Sequence, residues 1–78
     1  MSYRSDDREI LQFLREQVDS ARVDYTAASA VFDLMVKDVL RGIPQPDGSR
    51  RIRRAGQASM AALQNYMRAL KRLTDFLP

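Results

Sequence analysis

Gly42-Ile43-Pro44-Gln45-Pro46-Asp47-Gly48, residues 42–48, interrupts a chain whose 41 preceding residues contain neither glycine nor proline. Its two prolines fix φ and remove backbone donors, and Asp47-Gly48 is a typical turn dipeptide, so a helix cannot continue through it. Gly42 suits the left-handed conformation that ends a helix, with Ile43 as the accompanying hydrophobic contact. A connection this short and stiff favours two antiparallel neighbours.

The segments on either side of this turn have the composition of helices. Hydrophobic residues make up 45% of the chain, and Ala, Leu, Arg, Gln and Met are common. We expect a first helix over residues 5–41, opened by a capping box of Asp6 and Glu9, and a second over residues 49–77 with Ser49 as N-cap. The predicted fold is therefore all-α, a single antiparallel two-helix hairpin that occupies the whole chain.

Apolar residues recur at alternating steps of three and four in both helices, which is the spacing of a coiled-coil seam. When the two stripes are folded together about the turn, large residues repeatedly meet small ones, as interdigitating layers require. The predicted pairs are Val39–Ile52, Met35–Gly56, Phe32–Ser59, Ala28–Leu63, Tyr25–Tyr66, Ala21–Leu70, Val18–Leu73 and Leu14–Leu77.

More apolar residues are present than one seam between two helices can bury. A chain of 78 residues without cysteine has only packing to stabilise it, and exposed apolar area usually marks an interface. We expect a homodimer that forms a four-helix bundle, with a hetero-partner or a third helix outside this sequence as the alternative. The candidate interface comprises Ile10, Phe13, Val31, Leu34, Val36, Leu40, Ala55, Met60, Ala62, Met67, Ala69 and Phe76.

Six basic residues cluster at the turn end of the predicted hairpin. They oppose the positive end of the second helix dipole, so their placement is locally unfavourable. An acidic protein surface or a nucleic-acid backbone would fit them, although no stacking aromatic or known nucleic-acid-binding motif accompanies them. A solvated tip, or pairing with Asp6, Asp7 and Glu9 of a neighbouring chain, is the alternative. The cluster comprises Lys37, Arg41, Arg50, Arg51, Arg53 and Arg54.

Several classes of chemistry lack the residues that they need. Cysteine and histidine are absent, which excludes disulfides, thiolate chemistry and Cys/His zinc sites. No Gly-rich phosphate loop or nucleophile–base pair occurs, so we expect no enzyme activity, cofactor, metal or small-molecule substrate. Tyr25 and Tyr66 are better explained as core aromatics than as catalytic phenols.

No segment has the pattern of a transmembrane helix or of a cleaved signal peptide. The most apolar run, residues 27–40, contains Asp33, Lys37 and Asp38, and acids precede any apolar stretch at the N-terminus. We therefore expect a cytoplasmic protein, with export that needs no cleaved signal as the alternative.

In size and shape the predicted hairpin resembles small secreted hairpins, namely type III secretion needle subunits and the family that carries Trp-x-Gly in its turn. Pro44-Gln45-Pro46-Asp47 is loosely similar to the needle turn, whose prolines are placed differently. This chain has no tryptophan, so the defining motif of the second family is missing. Both resemblances concern architecture and imply no function.

The sequence thus favours a non-enzymatic interaction or scaffolding protein that self-associates or packs on a partner helix. A nucleic-acid-binding or regulatory adaptor that uses the arginine-rich tip is the alternative. A closed dimer and an open filament differ only in whether the interface closes on itself.

Overall fold

The computed structural model describes residues 5–42 and 48–78. Two helices account for nearly all of this part of the chain: α1, Ser5–Leu40, and α2, Gly48–Phe76. They pack along their lengths, so the predicted all-α hairpin is confirmed. Each predicted bound is within one residue of the observed one, a difference of the size that helix-end definitions produce.

The end of α1 is closed as predicted. Gly42 has φ of 75°, in the left-handed region, and its N–H donates to the carbonyl of Val39 at 3.0 Å. The N–H of Arg41 donates to the carbonyl of Lys37, also at 3.0 Å. These bonds use carbonyls that the helix end would otherwise leave unpaired. The contact predicted for Ile43 and the turn residues up to Asp47 lie outside the described residues.

The predicted N-cap residues lie one residue inside the observed helices. α1 already includes Ser5, so Asp6 and Asp7 lie in its first turn, where their charges suit the helix dipole. α2 begins at Gly48, one residue before Ser49. Offsets of one residue are of the size that helix-end definitions produce, so both caps stay predictions.

The hairpin is a rod with a single seam. Its principal extents are 62 × 15 × 13 Å, and its radius of gyration is 17.8 Å. A compact domain of this length would have a radius of gyration of about 12 Å. A two-helix rod has no interior layer, so every residue lies near the surface.

Alanines form the most buried part of the seam. Ala21, Ala55 and Ala69 are buried, with Ala69 only 4% exposed. Leu70 and Leu77, which the sequence placed in the seam, are exposed at 38% and 44%, whereas the other residues of the predicted α2 stripe are half-buried. The pairing of Ala21 with Leu70 stays a prediction. Small side chains allow helix backbones to approach closely, so they are the residues that a seam between two helices buries best.

Two aromatic contacts fix the alignment of the helices. The rings of Tyr25 and Tyr66 stack with centroids 6.4 Å apart and planes inclined by 19°, which confirms that predicted pair. Phe32, predicted opposite Ser59, packs on Gly56, where an added Cβ would lie 3.2 Å from Cε1 of the ring. Because Gly56 has no side chain, it leaves room for the phenyl ring of Phe32. The sequence had placed Met35 opposite Gly56.

Enlarging a seam alanine should overpack the hairpin. Ala69→Leu adds three carbons at a position that is only 4% exposed, and we expect the free energy of unfolding to fall by about 1–3 kcal/mol in urea titrations. Ala61→Leu is the matched control, because Ala61 is exposed on the same helix. Equal effects of the two substitutions would show that Ala69 is not at the close approach.

Candidate protein-protein interface

No large apolar side chain is fully buried in the described part of the chain. Three alanines are the buried hydrophobic residues there. The exposed large apolar residues are Ile10, Phe13, Val23, Val31, Leu34, Val39, Leu40, Met60, Met67, Leu70 and Leu77. The hairpin therefore has a seam but hardly a core, whereas a folded domain usually buries its large apolar side chains.

The solvent-accessible surface area of the chain leads to the same conclusion. The chain exposes 6341 Å². A compact monomer of the same mass would expose about 4,800 Å². The excess of roughly 1,500 Å² exceeds the roughly 800 Å² that one partner contributes to a protein–protein interface of standard size.

Most of the predicted interface residues are accessible. Phe13 is 57% exposed and Leu40 is 81% exposed. Ile10, Val31, Leu34, Met60 and Met67 are also exposed, and Val36, Ala62 and Phe76 are half-buried.

Ala55 and Ala69 are the least accessible of the predicted interface residues. Both are buried within the hairpin, although Ala55 also lines a groove on its surface. Conversely, sequence reasoning missed Val23, Val39, Leu70 and Leu77 as exposed apolar residues. Leu70 and Leu77 continue the three-and-four spacing of α2, and that spacing alone does not show which stripe faces α1.

Two flanks of the seam carry grooves that are lined by apolar residues. On the flank where α2 presents its seam alanines, here called the alanine flank, Val31 and Met35 line a shallow groove with Ala55 and Ala58. On the other, the methionine flank, Phe32 and Gly56 line a second groove with Met60. Ala55 and Met60 are five residues apart, about 140° around the helix, so one partner helix cannot cover both grooves.

The middle of the alanine flank is polar. Gln17, Ser20 and Asp24 of α1 line a small depression there with Asn65 and Arg72 of α2. Arg72 donates from Nη1 to Oε1 of Gln17 at 3.5 Å, the outer limit for a hydrogen bond. The helices are therefore joined mainly by packing, and this polar section divides the flank into two apolar ends.

The structure does not bring the six cations of the tip into one site. All six are exposed, and the ion pairs Arg22–Asp19 and Lys71–Asp75 lie away from them. Arg51 and Arg54 line the groove of the alanine flank, whereas Arg53 lines that of the methionine flank. The tip is a positively charged end rather than a pocket that surrounds a single anion.

The ion pairs of the described residues are local and contribute little. Arg22 and Asp19 approach to 3.8 Å, and Lys71 and Asp75 to 2.9 Å, each pair within one helix. All four side chains are more than half exposed, and such pairs typically contribute less than about 1 kcal/mol. The fold does not depend on them.

No arrangement for metal binding or membrane spanning is found in the described part. No group of three or more Asp and Glu side chains there could hold a metal ion. Neither α1 nor α2 is both long and apolar enough to cross a membrane. Comparison of the chain with protein-family models, curated proteins and solved structures gives no match.

The charge at the start of α2 should reduce stability. Arg50 is exposed in the first turn, where a cation opposes the helix dipole, so Arg50→Gln should raise the free energy of unfolding by about 0.3–1 kcal/mol at low salt. The gain should shrink at high salt, because exposed charges are screened. Arg68→Gln, at an exposed position in mid-helix, is the control. A loss of stability in Arg50→Gln alone would mean that this arginine stabilises the fold.

Proposed function

We propose that this protein is a non-enzymatic helical-hairpin interaction or scaffolding protein that self-associates through helix packing. The observation that carries the proposal is the near absence of a core: three alanines are buried while residues such as Phe13, Leu34 and Met60 are exposed. A chain of this size normally needs disulfides, a metal or oligomerisation to be stable. The chain has no cysteine for a disulfide, so packing on another chain is the remaining means of stabilising it.

The area that self-association would bury is that of a stable dimer. Two separate hairpins expose about 12,700 Å², twice 6341 Å². A compact body of twice the mass would expose about 8,000 Å². The difference, roughly 4,700 Å², falls in the range of about 2,000–5,000 Å² that obligate homodimers bury. A four-helix bundle of two hairpins is the simplest arrangement of this kind.

The surface chemistry supports an interaction role rather than catalysis. The grooves on both flanks are shallow and open, and water is not excluded from them as an enzyme site requires. Tyr25 and Tyr66, the aromatic pair with acid–base potential, are stacked on each other in the seam. Most acids of α1 are exposed along a helix rather than gathered in a cleft.

Size-exclusion chromatography with multi-angle light scattering tests self-association. The chain has a mass of 8.9 kDa. We expect a species of twice that mass or more at micromolar concentration, at both low and high salt, because apolar packing is not screened. A single species of 8.9 kDa that is folded by circular dichroism would contradict the proposal.

A second candidate function is binding of a polyanion at the tip. The observation that favours it is the set of six exposed cations at the turn end of the hairpin. If the tip binds a nucleic-acid backbone, the affinity for a short DNA or RNA duplex should fall steeply with salt. Replacing Arg50, Arg53 and Arg54 with Gln should abolish binding, whereas Arg68→Gln should not. Absence of binding at low salt would exclude this function.

A further inference from the structure

We propose that the second copy docks antiparallel on the alanine flank, so that Phe13 of each chain fills the groove beside Val31 of the other. The inference rests on the proposed self-association and adds its surface and its orientation. The argument starts from a stripe on α1 whose residues are spaced by alternating steps of three and four. Its members are Ile10, Phe13, Gln17, Ser20, Asp24, Ala27, Val31 and Leu34.

The stripe is apolar at both ends and polar in the middle. Ile10 and Phe13 are exposed near the start of α1, and Val31 and Leu34 are exposed near its end. Between them, the polar middle lies on the alanine flank, as does Val31. The two apolar ends are therefore separate patches on one side of the rod.

These patches are placed symmetrically about the centre of α1. Ile10 and Phe13 lie 12 and nine residues before position 22, and Val31 and Leu34 lie nine and 12 residues after it. The centre of Ser5–Leu40 falls half a residue beyond this position, at 22.5. A two-fold axis at this level brings Phe13 level with Val31 of the second copy and Ile10 level with Leu34. Each apolar patch of one chain is then covered by an apolar patch of the other, and this contact occurs at both ends of the pair. α1 overlaps its copy over its whole length. The same surface of each chain forms the contact, as an isologous interface requires.

Shape favours the same alignment. Phe13 is a protruding ring, 57% exposed. Val31 borders a groove floored by Ala55 and Ala58, where the small residues of α2 leave room. Phe13 and Val31 are 18 residues apart, about 27 Å along the helix, so Phe13 cannot fill the groove of its own chain. Phe13 of a second copy in the antiparallel orientation can fill this groove.

Charge also disfavours the parallel alternative. In a parallel pair each residue comes level with itself, so Asp24 would face Asp24 and the arginine-rich tips would meet. In the antiparallel pair Asp24 comes level with Ser20, whose hydroxyl can donate to it. The tip of each chain lies at the end where the other begins α1 with Asp6 and Asp7.

Charge matching at these ends is good but not complete. Taking the level of Tyr25 and Tyr66 as reference, Asp7 comes level with Lys37 and Arg54 of the second copy. Asp6 comes level with Asp38, a like-charged pair that the neighbouring Lys37 and Arg41 offset. Salt should therefore weaken the dimer modestly, through these exposed pairs, without dissociating it.

Disulfide trapping tests the orientation. No native thiol can form a competing disulfide, because the natural chain has no cysteine. Phe13→Cys and Val31→Cys chains are prepared separately, mixed in equal amounts and oxidised with copper phenanthroline. We expect a disulfide-linked dimer in the mixture, in which each variant supplies one thiol. Each variant oxidised alone should stay unlinked, because its two thiols would lie about 27 Å apart along the axis.

Two control experiments accompany this test. Ile10→Cys with Leu34→Cys provides an independent pair at the same two levels, in case loss of the Phe13 ring weakens docking. Val23→Cys is exposed on α1 at a level at least eight residues, about 12 Å, from each of these four positions in the second copy, so it should link to none of them. Light scattering of the reduced variants shows whether they still associate.

The outcomes separate the two proposals. Linkage of Phe13→Cys to itself would overturn the antiparallel orientation. Dimeric variants that give no linkage in either mixed pair would overturn the docking surface, while the proposed self-association stands. A monomeric natural chain in light scattering would instead overturn the proposed function, and the further inference with it.

Discussion

The close approach of the two helices at their small residues determines the rest of this structure. Where Ala21, Ala55 and Ala69 lie in the seam, the backbones come near enough for these short side chains to be buried. Gly56 does the same for the ring of Phe32. Close packing of small residues gains dispersion contacts along the whole rod, but each alanine buries little apolar area.

Many large apolar residues are left exposed as a result. In the described part of the chain the seam buries three alanines and leaves larger seam residues such as Leu14 and Leu63 half-buried. Other leucines, valines and methionines project from the flanks of a rod that has one seam and no second layer. Burial of such side chains typically contributes about 1.5–3 kcal/mol each, which makes another helix surface the natural place for them. The surface chemistry that this leaves is suited to recognition by packing, with charge serving mainly to align partners.

The sequence predicted those features that depend on local signals. Gly42 and the prolines mark where α1 must stop, and unbroken three-and-four spacing marks two helices of the observed lengths. The Tyr25–Tyr66 pair followed from folding the stripes about the turn. The deep burial of Ala55 and Ala69 did not follow, because the apolar residues of α2 fill several adjacent columns and more than one of these columns can lie against α1. Which column is buried most is decided by tertiary packing between the helices, which periodicity does not report.

The same limit applies to the candidate interface and to the arginine-rich tip. Exposure of Phe13 and Leu34 followed from their position beside the predicted seam, whereas burial of Ala55 and exposure of Leu70 depended on how the two helices pack. Neighbouring arginines also separate around the helix by about 100° per residue, so Arg53 and Arg54 serve different flanks. A cluster in sequence thus becomes a charged end rather than a site.

The central claim is that one hairpin lacks the core to be stable by itself. The concentration dependence of thermal unfolding, followed by circular dichroism, tests it most directly. If folding is linked to assembly, the midpoint should rise by several degrees as the chain concentration increases from about 1 to about 100 μM. A sharp cooperative transition whose midpoint is the same at every concentration would contradict the account, because it would show a single hairpin that is stable with its apolar flanks in water.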